Sequence, residues 1–184
     1  MRLPRITGGK PTRVEAILAA IAAWAWLVYL ATFVAVFTQS MGAPVPGLTF
    51  VVLAAGLAAQ GSVSLWPVAL ATIMGGALGG LAGYHLGLRG GRRLLVQAGP
   101  RFGLSVARRE RAESYVTRHG EKVLLVARYL PVLCFAGSLL AGAGRMPARR
   151  FAAYNLAGIT LWAGTHVAGA YFVGALLHGV IARA

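Results

Sequence analysis

Apolar residues along this chain come in runs long enough to cross a bilayer, with polar residues gathered between them. The first run, Ala16–Phe37, is 22 residues long and lies in a predicted helix over Glu15–Thr38. About 20 apolar residues span a bilayer, whereas a signal-peptide core is roughly 7–15 residues and ends at a small-residue cleavage site. The run therefore reads as an uncleaved first transmembrane helix. An uncharged loop, Gln39–Val45, follows. Pro46–Gln60 is apolar but too short to span comfortably, which favours a re-entrant hairpin or half-helix. Ser64–Leu88 is long enough to span. Val123–Ala143 is 21 residues, but Arg128, Pro131, Gly137 and Gly142 interrupt it, which predicts a second re-entrant hairpin. Phe151–Ala182 is 32 residues. That is about 48 Å of continuous helix against a hydrocarbon core of about 30 Å, so it is either tilted or broken near Gly164–Gly169. The expected fold is an all-α integral membrane protein.

Charge then orients these segments. Eighteen Lys and Arg stand against four acids, a formal net charge of +14, and there is no Asp. The basic residues fall in blocks: Arg2, Arg5, Lys10 and Arg13, then none from Val14 to Leu88, then a dense cluster from Arg89 to Lys122, then Arg145, Arg149 and Arg150. Blocks between apolar runs are what the positive-inside rule produces, so the excess points to membrane orientation and anionic lipid rather than to nucleic acid. The expected layout is a cytoplasmic segment 1–14 and a single inner-membrane, multi-pass domain 15–184. Its hairpins fall at about 44–62 and 121–146, with an amphipathic cytoplasmic linker at 89–120 in which Arg109 and Glu113 can pair. The first helix is expected to run from inside to outside, and Ser64–Leu88 from outside to inside.

The two halves share a pattern. Pro46 leads to Ala55-Gly56 and then to Tyr84-His85-Leu86-Gly87, while Pro131 leads to Ala141-Gly142 and then to Tyr171-Phe172-Val173-Gly174. The Pro-to-Gly spacing is 10 and 11, and the Gly-to-Tyr spacing is 28 and 29. With one hairpin outside and the other inside, the fold becomes an inverted repeat of two re-entrant helical hairpins plus spanning helices. Broken helices in inverted repeats mark secondary transporters, with the substrate site between the repeats. Gly75, Gly79, Gly83 and Gly87 make a small-residue face that suits either internal packing or a homodimer.

The sharpest chemical signal is Arg128 inside an apolar run, three residues before Pro131. A charge at bilayer depth costs at least about 2.5–3.5 kcal/mol and marks a functional pathway by default. In one reading Arg128 binds a lipid phosphate through its planar fork, helped by half-helix N-termini after Pro46-Gly47 and Pro131. In the other it snorkels to the cytoplasmic interface just beyond Lys122. Asn155 and Gln39 are either polar lining or ordinary interhelix bonds. Cys134 reads as a small core residue, and Trp24, Trp26, Trp66 and Trp162 as interface anchors or packing. His85 and His166 are the candidates for proton handling. Ala136-Gly137-Ser138 with His166 outlines an intramembrane serine hydrolase, a reading disfavoured by too few spans. No metal cluster, nucleotide loop or carboxylate pair is present, so no cofactor is expected.

In order along the chain, Glu113-Ser-Tyr-Val-Thr-Arg-His119-Gly120, Ala127-Arg128-Tyr129-Leu130-Pro131, Ala141-Gly142, Met146, Phe151, Asn155, Gly158, Trp162 and the Tyr171/Gly174 pair resemble the DedA membrane proteins, which share the VTT domain with eukaryotic lipid scramblases. Pro46-Gly47, Ala55-Gly56, Gly79, Tyr84 and Gly87 match more loosely, and the resemblance covers roughly residues 39–177. It implies two hairpins cradled by spanning helices and a flippase or scramblase of phospholipid or polyprenyl phosphate. It adds Gly142 to the candidate substrate-binding set of Arg128, Pro131, Pro46, Gly47 and Asn155. It also implies proton-driven transport through buried acids and two arginines six residues apart. Here the second arginine position is Cys134, and the acid positions fall on Leu48, Gly80 and Thr38 or Gln39. Proton coupling by a buried carboxylate is therefore not expected. A membrane scaffold or assembly factor without transport is the rival reading.

Overall fold

The computed structural model describes residues 13–98, 124–125, 128–130 and 133–181. The segment before residue 13, the linker beyond Ala98 and Pro131 lie outside the described residues. The described chain forms α1 (Arg13–Met41), α2 (Gly47–Ala59), α3 (Leu65–Ala98), α4 (Leu133–Ala143) and α5 (Ala148–Ile181). Trp24–Met41, Leu65–Gly90 and Ala148–Val180 are long and apolar enough to cross a membrane, whereas α2 has only 13 residues. At 1.5 Å per residue α2 covers about 20 Å, short of the roughly 30 Å hydrocarbon core.

Helix ends follow their local chemistry. After α1, Gly42 N–H bonds the Gln39 carbonyl and Ala43 N–H bonds that of Thr38, with Gly42 at φ 125°. After α2, Gly61 and Ser62 do the same to Ala58 and Leu57, with Gly61 at φ 74°. These paired bonds satisfy the last carbonyls, and glycine takes the left-handed position without a Cβ clash. After α4 the same motif places Arg145 at φ 54°. A side chain there costs roughly 1–2 kcal/mol, so Arg145→Gly is expected to raise the melting temperature in detergent. An unchanged or lower melting temperature would count against strain at this turn.

α1 and α3 run past their expected ends at Thr38 and Leu88, and α5 takes the unbroken one of its two expected forms. α3 continues past Leu88 to Ala98, because no proline intervenes and Arg92, Arg93, Leu94 and Leu95 are good helix formers. α5 is one continuous helix of 34 residues, about 51 Å long, with no break at Gly164–Gly169.

The glycine face decides how the helices run. A Cβ at Gly75 would meet the Phe33 carbonyl, one at Gly79 the Phe37 backbone, and one at Gly83 the Met41 carbonyl. The register advances in the same sense on both helices, so α1 and α3 are parallel and this face is filled within the chain. This overturns the expected opposite directions of α1 and α3. The turn at residues 42–46 reverses the chain just after Met41, which lies beside Gly83, seven residues short of the apolar end of α3 at Gly90. From there α2 runs back along α1, with Gly47 against Ala35 and Gln39, and Ala54 and Ala58 packed on Ala25, Val28 and Tyr29. The first hairpin therefore uses α1 as its first arm and α2 as its second.

The second half is its counterpart. α5 is antiparallel to α3: Gly80 faces Asn155, Gly76 faces Ile159, and the Tyr84 ring stacks on Phe151 at 4.5 Å. α4 runs parallel to α3, with Gly83 against Ser138 and Gly87 against Leu139 and Ala143. Correspondingly, α2 runs along α5: Val51 and Ala55 join Ile159, Trp162 and Val167 in one buried cluster, and Gly174 rests on Gly56 and Ala59. Each short helix thus packs on the long helix of the other half. The repeated motifs are the two sides of that exchange. Tyr84 and Gly87 grip α4, where the Tyr84 hydroxyl donates to the Met146 carbonyl, while Tyr171 and Gly174 grip α2.

The bundle has two chemically distinct ends. Exposed Trp24, Trp26 and Trp66 gather near the turn at 60–64. Exposed Arg89, Arg145, Arg149 and Arg150 gather at the other end. The start of α1 lies at the tryptophan end, so Arg13 and Arg89 are on opposite sides. In a Cys134→Ala background, cysteines at 13 and 62 should react with a membrane-impermeant thiol reagent from one face, and a cysteine at 149 from the other. Labelling of 13 and 149 from the same face would contradict the parallel arrangement.

Candidate functional site

Arg128 stands where the two hairpins meet. Its Nη1 donates to Ser40 Oγ on α1 at 2.9 Å, and its Nη2 donates to the Gly76 carbonyl on α3 at 3.1 Å and to Asn155 Oδ1 on α5 at 2.8 Å. Asn155 Nδ2 in turn donates to the Ala77 carbonyl at 3.1 Å, which fixes the amide with its oxygen toward the guanidinium. Ser40 and Asn155 are both buried. Gly80 makes this possible, since a Cβ there would stand 2.5 Å from Asn155 Oδ1.

Depth bears on the two readings of Arg128. Gly76 lies eleven residues from Leu65 and fourteen from Gly90, the ends of the apolar stretch of α3. That is about 17 and 21 Å of helix, so on α3 the guanidinium is bonded near the middle of the apolar stretch, and on α1 at Ser40, next to the end of that helix. The three bonds go to neutral acceptors. Such acceptors satisfy N–H groups but cancel no charge, whereas a carboxylate would do both. The chain has no acid between Glu15 and Glu110, and Glu15 is twenty-five residues from Ser40 along α1. Among the described residues no carboxylate bonds the guanidinium, which there keeps its attraction for an anion.

Val36, Gln39, Ser40, Arg128, Cys134 and Trp162 enclose a cavity of about 10 Å³. That is room for about one water. Gln39 Nε2 approaches Cys134 Sγ at 3.7 Å across it, so Cys134 lines the site rather than the general core. Trp162 closes the other side and stacks on His166 at 4.5 Å. Beyond it lies a second polar group. Thr165 Oγ1 donates to a helix carbonyl, that of Leu161 or Trp162, and so accepts from the Tyr129 hydroxyl at 2.8 Å. His166 Nδ1 lies 2.8 Å from the Trp162 carbonyl, which requires the proton on Nδ1.

The expected site residues separate into groups. Arg128 and Asn155 are bonded to each other. Gly47 touches Gln39, a wall of the cavity, and Pro46 precedes it at the hairpin tip. Gly47 N–H and Thr49 N–H are taken by the Val45 and Pro46 carbonyls, so the start of α2 offers less to an anion than expected. Gly142 lies at the far end of α4 against Tyr84 and Leu88, away from Arg128. His85 is exposed beside Tyr84, also away from the site, whereas His166 adjoins it through Trp162. Ser138 and His166 do not form a dyad. One is level with Gly83, and the other lies seven residues beyond Ile159, which faces Gly76, so about 20 Å of helix separates them. No group of three or more metal-ligating side chains occurs among the described residues. Sequence reasoning missed Ser40, Gly76 and the Tyr129–Thr165 pair. Ser40 stands one residue from the singled-out Gln39, a signal that could have found it.

The VTT domain family matches residues 45–173. An uncharacterized membrane protein of Synechocystis sp. is 33% identical over 146 residues, covering 79% of this chain and 67% of the relative. Protein DedA of Escherichia coli is 33% identical over 67 residues, 36% of this chain and 31% of its own. Undecaprenyl phosphate transporter A of Bacillus subtilis is 28% identical over 114 residues, 61% of this chain and 58% of its own. No solved structure matches the chain significantly.

Proposed function

The chain belongs to the VTT domain family, and from that premise we propose that it is a membrane transporter of lipid headgroups, a flippase or scramblase acting on phospholipid or polyprenyl phosphate. The observation that carries this reading is Arg128 bonded to the middle of the apolar stretch of α3, with only neutral groups among its described partners. A cation held by neutral acceptors, with no carboxylate among its described partners, suits a phosphate, which a guanidinium binds through parallel charge-assisted bonds. The relative from Bacillus subtilis, named for undecaprenyl phosphate, supports the same substrate chemistry.

The headgroup crosses between the hairpins while its chains stay in lipid. Transfer does not depend on a proton gradient, since the only acids, Glu15, Glu110, Glu113 and Glu121, leave residues 16–109 without a carboxylate. The protein resides in the cytoplasmic membrane. Its arginine end, with Arg89, Arg145, Arg149 and Arg150, faces the cytoplasm. Given parallel α1 and α3, that orientation places the start of α1 outside, the reverse of the sequence expectation for the N-terminus. The test is reconstitution in liposomes with labelled phospholipid and labelled polyprenyl phosphate, with and without an imposed gradient. Transfer of either without a gradient is the expected result. Transfer of neither would remove the transport reading and favour a scaffold or assembly factor, which the missing acids also suit.

A further inference from the structure

We propose that Asn155 is a displaceable internal ligand that occupies Arg128 in place of the anion, and that it latches the two hairpins in an occluded state. The proposal rests on the transport reading for the identity of the anion, a phosphate monoester or diester headgroup, and on geometry for the latch itself.

The geometry has three parts. Arg128 belongs to the second hairpin, yet its bonds reach Ser40 on the first hairpin and both long helices, so one side chain ties together elements from both halves. The cavity beside it, about 10 Å³, admits a water and no phosphate. Both N–H groups of Nη2 are taken, so an anion gains that edge of Arg128 only when a present ligand leaves. Of those ligands, the Gly76 carbonyl is part of a helix backbone. Asn155 Oδ1 is on a rotatable side chain, held by one further bond to the Ala77 carbonyl. It reaches Arg128 over Gly80, the position at which a Cβ would displace it. The amide is also chemically suited to leaving. It accepts a hydrogen bond but cancels no charge, whereas a phosphate brings acceptors and counter-charge together, so a phosphate outcompetes the amide and a carboxylate at 155 would hold Arg128 against it.

Cys134 provides a readout that is independent of transport. It is the single cysteine of the chain and lines the same cavity, so its alkylation by a small maleimide reports opening. Asn155→Asp keeps the shape, adds the counter-charge and gives up the bond to the Ala77 carbonyl. It is expected to slow both Cys134 alkylation and headgroup transfer by about tenfold, because the counter-charge adds an ion pair to the hydrogen bond that Arg128 already makes there. Asn155→Ala and Ser40→Ala remove a tie and are expected to speed alkylation several-fold. Gly80→Ala should resemble Asn155→Ala if it folds, and Asn155→Ala stands in for it if it does not.

The outcomes separate the latch from the transport reading. Opposite shifts in alkylation for Asn155→Asp and Asn155→Ala support the latch even if no lipid moves, in which case the transport reading alone is lost. Arg128-dependent transfer with Cys134 alkylation the same in wild type, Asn155→Asp and Asn155→Ala overturns the latch and leaves transport standing. Faster alkylation in both variants assigns Asn155 to packing and overturns the latch as well.

Discussion

Arg128→Ala is expected to reduce headgroup transfer by at least about tenfold in liposomes at equal insertion, because a charge-assisted hydrogen bond contributes roughly 1.5–3 kcal/mol and a phosphate on Arg128 would lose more than one. The expectation follows from position as much as from charge. A lysine or arginine near an interface can be replaced with little effect, since water and headgroups take over its role. Arg128 bonds Gly76 about 17 Å or more from either end of the apolar stretch of α3, where neither is at hand. Arg128→Lys divides the effect. It keeps a positive charge but not the planar fork, and one ammonium cannot reach Ser40, the Gly76 carbonyl and Asn155 in the same geometry. Transfer between that of wild type and Arg128→Ala is expected. The paired check is the size-exclusion profile in detergent. A monodisperse Arg128→Ala protein with lost transfer assigns the residue to the path, and a monodisperse Arg128→Ala protein with wild-type transfer would remove it from the mechanism.

Much of the fold was legible because membrane segments announce themselves by length. Trp24–Met41, the short helix from Gly47 and the long helix from Leu65 appear close to where the apolar runs place them. Arg128 and Asn155 were legible for the same reason: polar groups in apolar runs are costly and therefore informative. What the pattern could not carry was direction. An apolar helix reads the same up or down, and the uncharged loop at 39–45 is as compatible with a surface turn as with a buried hairpin tip. The glycine spacing showed that Gly75, Gly79 and Gly83 meet another backbone, but not that the backbone is α1 running alongside. The exchange between halves was hidden too. Ala55-Gly56 and Tyr171/Gly174 belong to different halves, and only their packing shows that they are one contact. Ser40 was passed over because a serine in a helix ordinarily bonds its own backbone, as Thr32 and Thr72 do here.

The second large effect is expected at Gly79. A Cβ there would run into the Phe37 carbonyl and stand 2.8 Å from the Phe37 Cα, both backbone atoms that no rotamer change can move aside. In a membrane, where helices associate through close packing rather than burial from water, such an approach is a principal source of stability. Gly79→Ala therefore forces α1 and α3 apart and is expected to cost roughly 1–3 kcal/mol, the usual range for overpacking, while Gly79→Leu should prevent accumulation of folded protein. The control is Gly169→Ala, at a helical glycine whose Cβ would have no described neighbour within 4 Å. Alanine there should be neutral or stabilising by a few tenths of a kcal/mol or more, since it reduces the freedom of the unfolded chain. Loss of the monodisperse peak after stepwise heating in detergent measures both variants. The spacing also matters to the site. Ser40 on α1 and the Gly76 carbonyl on α3 hold the same guanidinium, so a wedge at Gly79 pulls two of its ligands apart. Gly79→Ala should thus speed alkylation of Cys134 at temperatures where the protein is still folded. Equal melting of Gly79→Ala and Gly169→Ala would show that the close α1–α3 crossing does not hold the bundle together.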